Sequence, residues 1–170
     1  QKAAQLKSGA HVFAYKVKDP KRYGVISFDK DKKATHIEEK PKQPKSPFVV
    51  TGIYFYDSNV THYAKSLRPS KGGELEITDI NNIYLKQNTL KVSPLSRGYA
   101  WFDTGTHQSL LDAANFIAIA QERQQIQIGS PDEVSWRMGY ISDKELEVIL
   151  DPIHKTDYGT YLKELLNPNF

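Results

Sequence analysis

The stretch Phe48-Val49-Val50-Thr51-Gly52-Ile53-Tyr54-Phe55-Tyr56 constrains the fold of this chain more than any other. It is almost wholly β-branched and aromatic, and it is apolar at odd and even positions alike. A strand with one face in water alternates, whereas a strand covered on both faces does not. The run is therefore expected as a central, fully buried strand with other strands on either side. Gly52 within it marks a bulge or a point where another group comes close to the backbone.

Its neighbours can be read from the same chemistry. His11 to Val17 and Tyr23 to Phe28 are rich in β-branched and aromatic residues, and Asp19-Pro20 ends the first of them. The tract Asp29-Lys30-Asp31-Lys32-Lys33 is too polar for burial and leaves no room for a crossover helix. It is expected as a hairpin turn, with Ala34 to Glu39 returning as the antiparallel partner. Pro41, Pro44 and Pro47 remove backbone donors and forbid a helix, so an extended loop follows. After the long strand, Asp57 or Ser58 can cap a helix presenting Val60, Tyr63, Ala64 and Leu67. Thr78 can cap another presenting Ile80, Ile83 and Tyr84, and Leu90-Lys91-Val92 reads as a short strand with Pro94 at its edge or end.

Near the middle, Arg97-Gly98-Tyr99-Ala100-Trp101-Phe102 reads as an aromatic strand that stops at Asp103, turns at Gly105 and meets Thr106, a helix cap. From His107 to about Gln125 a long helix carries Leu110, Ala113, Ala114, Ile117 and Ala120 in one stripe, widened by Phe116 and Ile119. Ser130-Pro131-Asp132-Glu133 has a capping serine, a proline suited to the first turn and two acids on the helix dipole. Ser142 to Ile149 and Tyr158 to Leu166 read as two more helices. The fold class is α/β, a mixed sheet followed by a helical tail, with residues 1–106 and 107–170 as its two parts.

Composition narrows the function. The 23 basic residues are interleaved with 20 acidic ones, which does not favour nucleic acid as a partner. The absence of cysteine excludes disulfides and thiolate chemistry. No apolar run is long enough to span a membrane and the first residues lack a signal-peptide core, so a soluble, cytoplasmic protein is expected. A chain that begins at Gln1 and has its one methionine at Met138 reads as a piece of something longer.

Three groups of residues can carry chemistry. Asp103, after a strand and before a helix, stands where ligands of open α/β sheets bind, and Mg2+ takes one or two carboxylates besides water and phosphate. The same position also suits an ordinary turn former or helix cap, and Asp57 and Asp79 read as helix-start residues rather than as a second ligand. In Glu38-Glu39-Lys40-Pro41 a carboxylate can accept sugar hydroxyls and an ammonium can sit against phosphate. Strand alternation puts Glu39 and Lys40 on opposite faces, so both reach one ligand only if the strand ends or bends there. Gly24 offers close backbone approach, or simply begins a strand. His11, His36, His62, His107 and His154 show no metal-binding spacing.

Taken in order, Asp19-Pro20-Lys21-Arg22-Tyr23-Gly24-Val25, Glu38-Glu39-Lys40-Pro41, Val50-Thr51-Gly52-Ile53-Tyr54-Phe55-Tyr56, Gly73-Glu74-Leu75-Glu76-Ile77-Thr78-Asp79-Ile80-Asn81 and Gly98-Tyr99-Ala100-Trp101-Phe102-Asp103-Thr104-Gly105-Thr106 resemble the sugar-1-phosphate nucleotidylyltransferases. The match is best to members that act on glucose 1-phosphate and dTTP, releasing dTDP-glucose and pyrophosphate. The resemblance implies Mg2+ dependence and, residue by residue, sugar-nucleotide contacts from Tyr23 and Gly24. It implies glucose hydroxyls on Glu39, phosphates on Lys40, the sugar on the backbone of Val50, and Mg2+ on Asp103. It covers only the family's C-terminal, sugar-phosphate-binding part; the glycine-rich nucleotide loop and the other metal aspartate of the N-terminal half are not in the sequence, so catalytic residues are not assigned. Where close relatives read Arg-Gly-Glu-Leu-Glu, this chain has Gly72-Gly73-Glu74-Leu75-Glu76, with Lys71 the nearest substitute for the arginine. Relatives assemble as tetramers, so a homo-oligomer and the enzyme's own N-terminal half are the implied partners. Uridylyl or cytidylyl transfer, or a non-catalytic sugar-phosphate-binding remnant, are the alternatives.

Overall fold

The computed structural model describes residues 3–70 and 72–167. It divides into two compact units, Gln1–Trp101 and Phe102–Phe170.

The first unit holds strands β1 (Ala10–Lys16), β2 (Gly24–Phe28), β3 (Ala34–Glu39), β4 (Phe48–Tyr56) and β5 (Leu90–Pro94), with helices α1 (Val60–Ser66) and α2 (Ile77–Lys86) between β4 and β5. The sheet order is β3-β2-β4-β1-β5. β2 and β3 form the expected antiparallel hairpin, β1 is antiparallel to β4, and β1 runs parallel to β5, so the sheet is mixed. The hairpin turn closes through the amide of Asp29 donating to the carbonyl of Lys33, at 2.9 Å.

β4 occupies the middle of the sheet, but it is not fully buried. Val49 and Thr51 are covered, whereas Ile53 is 57% exposed. The register explains the difference. Val12 pairs with Tyr54 and Ala14 with Val50, so the extra residues of β4 bulge around Gly52. The Thr51 hydroxyl donates to the carbonyl of Phe13 at 3.3 Å within that bulge. β2 meets β4 at Val25 and Val49, and past the bulge β4 is held by β1 alone among the described strands.

Two clusters form the core of this unit. Ala14, Ile26 and Ile37 are joined by Leu85, Leu90 and Val92, so the edge strands β3 and β5 border one apolar volume and the sheet curls. Ala10, Ile80 and Tyr84 are covered by Val60, Tyr63 and Leu67, which seats α1 and α2. Tyr54, Tyr56 and Tyr84 stack in series, at 5.9 and 5.5 Å between ring centres.

The aromatic run before Asp103 is not a strand. β5 ends at Pro94, and the backbone then turns at Gly98, whose φ of +98° lies in the region that favours glycine. Its aromatic side chains pack instead of extending the ladder. Trp101 lies against Tyr15 and Tyr23, at 5.9 and 5.3 Å, and the Tyr15 hydroxyl donates to the carbonyl of Tyr99 at 3.1 Å.

The second unit contains α3 (His107–Gln124), α4 (Pro131–Arg137), α5 (Asp143–Leu150) and α6 (Asp157–Leu165). Thr106 caps α3 in a capping box with Ser109, Ser130 caps α4, and Ser142 with Glu145 forms a second box at α5. Leu146, Leu150 and Leu162 make the core of α5 and α6, with Trp136 of α4 against it. The predicted stripe of α3 stays largely uncovered. Ala113 is buried, but Leu110 and Ile119 are 54% and 60% exposed, because α4, α5 and α6 close their core on one another. No helix among the described residues is long and apolar enough to cross a membrane.

Candidate active site at the end of the β2–β3 hairpin

The open end of the hairpin brings four of the expected residues together. Gly24 begins β2 opposite Glu39, which ends β3, and the amide of Lys40 donates to the carbonyl of Tyr23 at 3.1 Å. Val50 lies on β4, the next strand, one residue beyond the Val25–Val49 contact; its side chain packs into the core, leaving its backbone as the group a ligand could use.

The conflict between Glu39 and Lys40 is resolved by the backbone. β3 stops at Glu39, and Lys40 adopts φ +43°, a left-handed conformation uncommon for any residue but glycine, asparagine or aspartate. That twist cancels the strand alternation. Lys40 Nζ comes within 3.9 Å of Glu39 Oε1, so a cation and an anion face the same space. Strain of this kind persists where the surrounding structure holds it, and it concentrates at functional sites.

The Glu39 carboxylate is held from behind. Thr78 is 4% exposed, and its hydroxyl donates to Glu39 Oε2. The expectation of Thr78 as a helix cap is corrected here: α2 begins at Ile77 after Glu76, so Thr78 lies inside the first turn and its side chain faces the sheet. Gly24 allows this arrangement. A Cβ there would come 2.9 Å from Thr78 Oγ1 and 3.2 Å from Glu39 Oε2. Tyr54 also borders the carboxylate: burial, and then the charge of Glu39, raise its phenol above the ordinary value. One helical turn after Thr78, buried Asn81 accepts a hydrogen bond from Tyr56 at 2.6 Å, and its Nδ2 has no protein partner among the described residues. Neither Thr78 nor Tyr54 carries a local sequence signal for this role, because the Thr78–Glu39 bond spans 39 residues.

Asp57, expected as a helix cap, is a junction between elements. It accepts from the amides of Gly9 and Asn59 and from the buried Tyr84 hydroxyl. The residue before α1 is Asn59, which makes no side-chain cap. In the loop before α2, the amide of Gly72 donates to Ser70 Oγ at 3.3 Å, and Ser70 Oγ donates to Glu76. Lys71, the expected stand-in for an arginine, lies outside the described residues.

Asp103 belongs to the second unit. Its Oδ1 accepts the amide of Gly105 at 3.2 Å, an aspartate turn three residues before the Thr106 cap. No group of three or more His, Cys, Asp or Glu residues able to enclose a metal occurs among the described residues. Mg2+ is ordinarily bound through one or two carboxylates and substrate phosphates, so Asp103 fits the part of one such ligand.

The profile of the family described as Nucleotidyl transferase matches residues 1–119. The chain belongs to that family. Within it, the chain is 48% identical over 166 residues to a glucose-1-phosphate thymidylyltransferase of Neisseria meningitidis and 50% identical over 165 residues to one of Xanthomonas campestris. These alignments cover 98% and 97% of this chain but 58% and 56% of the relatives. The chain thus spans little more than half the length of the curated relatives it matches. A Bacillus anthracis crystal structure assigned to glucose-1-phosphate thymidylyltransferase, in complex with sucrose, superposes with a TM-score of 0.62 at 47% identity, covering 76% of this chain and 49% of that one.

Proposed function

We propose that this chain is the sugar-phosphate-binding portion of a cytoplasmic glucose-1-phosphate thymidylyltransferase, an enzyme that joins dTTP and glucose 1-phosphate into dTDP-glucose and pyrophosphate. The observation that carries the reading is the convergence of Glu39 and Lys40 at the hairpin end, where an acceptor for hydroxyls and a cation for phosphate stand 3.9 Å apart. The names of the similar relatives support thymidine over uridine or cytidine.

In this reading Glu39, fixed by Thr78, accepts glucose hydroxyls, and the Lys40 ammonium meets the sugar phosphate as a point charge. Gly24 and Val50 offer backbone to the sugar, and the Tyr23 ring, braced by Trp101, borders it. A phosphate oxygen of glucose 1-phosphate attacks the α-phosphorus of dTTP as the bond to the pyrophosphate oxygen breaks. The chain's contribution to that step is alignment and charge complementarity. Asp103 would hold Mg2+, which when bound offsets phosphate charge. Residues 1–106 carry the sugar-phosphate site apart from the metal ligand's partner, and residues 107–170 form the helical region. Turnover needs the length of the relatives that this chain does not span, joined to it or assembled with it in a homo-oligomer.

Calorimetric titration of the chain with glucose 1-phosphate tests the reading. Saturable binding that is lost in Glu39→Ala and in Lys40→Ala is expected. Binding that survives both substitutions, or no binding at all, overturns it.

A further inference from the structure

We propose that the cleft between the two edge strands of the first unit binds a multiply charged phosphate of the diphosphate class, at a site separate from Glu39 and Lys40. Two cavities, of about 530 and 510 Å3, adjoin there and share His11 and Lys91 as lining residues. The first also meets Lys32 and Lys33 of the β2–β3 turn, and the second meets Lys7 of the segment before β1. Four lysines from three separate segments thus border one region. Among the described residues, no aspartate or glutamate lines either of these two cavities.

That segregation stands out in a chain whose 23 basic and 20 acidic residues are otherwise interleaved. None of the four lysines forms an ion pair with another described residue; such pairs occur instead at His36–Glu38, Glu39–Lys40 and Glu133–Arg137. Asp29 shares the turn with Lys32 and Lys33 and lines a neighbouring cavity that Lys33 also borders, its Oδ1 tied to the turn backbone by the amides of Asp31 and Lys33, each at 2.9 Å. The register sets Lys91 beside His11 across the parallel β1–β5 pair, and His11 Nε2 lies 2.8 Å from the Ser93 hydroxyl. Burial, and then the charge of Lys91, lower the His11 pKa.

Unpaired ammonium groups converging on one cleft repel one another, and a bound anion relieves that repulsion. Lysine meets phosphate as a point charge and needs no fixed fork, which suits lysines on a turn and on a strand edge. Lysines on two sides of a volume far larger than one phosphate select an anion with two charged centres. A free pyrophosphate and the diphosphate of a nucleotide share that chemistry.

Calorimetry at physiological salt with inorganic pyrophosphate, and separately with ADP, tests the site. One saturable pyrophosphate site is expected, weakened about fivefold or more by Lys91→Ala and by Lys33→Ala and unchanged by Lys40→Ala. Tighter binding of ADP than of pyrophosphate identifies a nucleotide as the source of the diphosphate, and equal or weaker binding identifies the free anion; both support the site. Absence of saturable binding, loss in Lys40→Ala instead of Lys91→Ala, or equal binding by duplex DNA or anionic vesicles overturns it. Unchanged thermal melts confirm that these exposed-residue variants remain folded. A failure at Lys91 with intact glucose 1-phosphate binding at Lys40 rejects this inference and leaves the sugar-phosphate reading standing.

Discussion

Thr78 on α2 and Glu39 at the end of β3 share a hydrogen bond that exists because Gly24, opposite Glu39 across the hairpin, has no side chain. Helix, strand end and glycine are thereby parts of one device. The helix contributes a buried hydroxyl, the strand end contributes the carboxylate, and the glycine supplies the space between them.

Gly24→Ala should disrupt this arrangement, since the added carbon would contact both partners at 3.2 Å or less. Overpacking of this kind costs about 1–3 kcal/mol. Thr78→Val removes the hydroxyl while conserving volume and should cost a similar amount, because a hydrogen bond to a charged group is worth roughly 1.5–3 kcal/mol. Thr78→Ser should restore most of the loss. Urea unfolding of the three variants measures this directly, and a Thr78→Val chain as stable as the parent would show that the bond contributes nothing.

Much of both units was legible because the signals are local. The polar hairpin turn at Asp29 to Lys33, the bulge at Gly52 and the capped starts of α3 and α4 follow from chemistry within a few residues. The misreadings have one cause, which is that side-chain partners are distant. The aromatic run before Asp103 has strand composition, but Trp101 is committed to Tyr15 and Tyr23 and Gly98 turns the backbone. Ile53 has a core residue's chemistry, but no described strand lies on its far edge. For the site, Glu39 and Lys40 were visible as a motif; their convergence depends on a φ angle, and their support by Thr78 on a contact across the fold.

Lys40 separates backbone strain from charge. A side chain held left-handed costs on the order of 1–2 kcal/mol relative to glycine, offset in part by glycine's greater freedom in the unfolded chain. Lys40→Gly should therefore unfold at equal or higher urea concentration than the parent, and Lys40→Ala at equal or lower. Both should lose glucose 1-phosphate binding, because both lack the ammonium. A destabilised Lys40→Gly chain would mean that the φ of +43° is not strained in this setting.

Asp57 should make stability fall in acid. Hydrogen bonds from the Gly9 amide and the Tyr84 hydroxyl, followed by those from Asn59, hold its carboxyl below the usual value of 3.8 against a smaller opposing effect of burial. A folded-state pKa below the unfolded one stabilises fully above the unfolded pKa, and that contribution is lost as pH falls through the folded pKa. Tyr84 is 1% exposed, so Asp57→Ala leaves a buried hydroxyl without its acceptor, a loss of roughly 1–3 kcal/mol near pH 7. The difference in unfolding free energy between parent and Asp57→Ala should be constant from pH 7 to about pH 5 and shrink below about pH 4. Other carboxylates titrate in both proteins, so the difference between the two isolates Asp57. A gap that stays constant down to pH 2 would assign the cost to lost packing rather than to the ionised carboxylate that ties β1, β4 and α2 together.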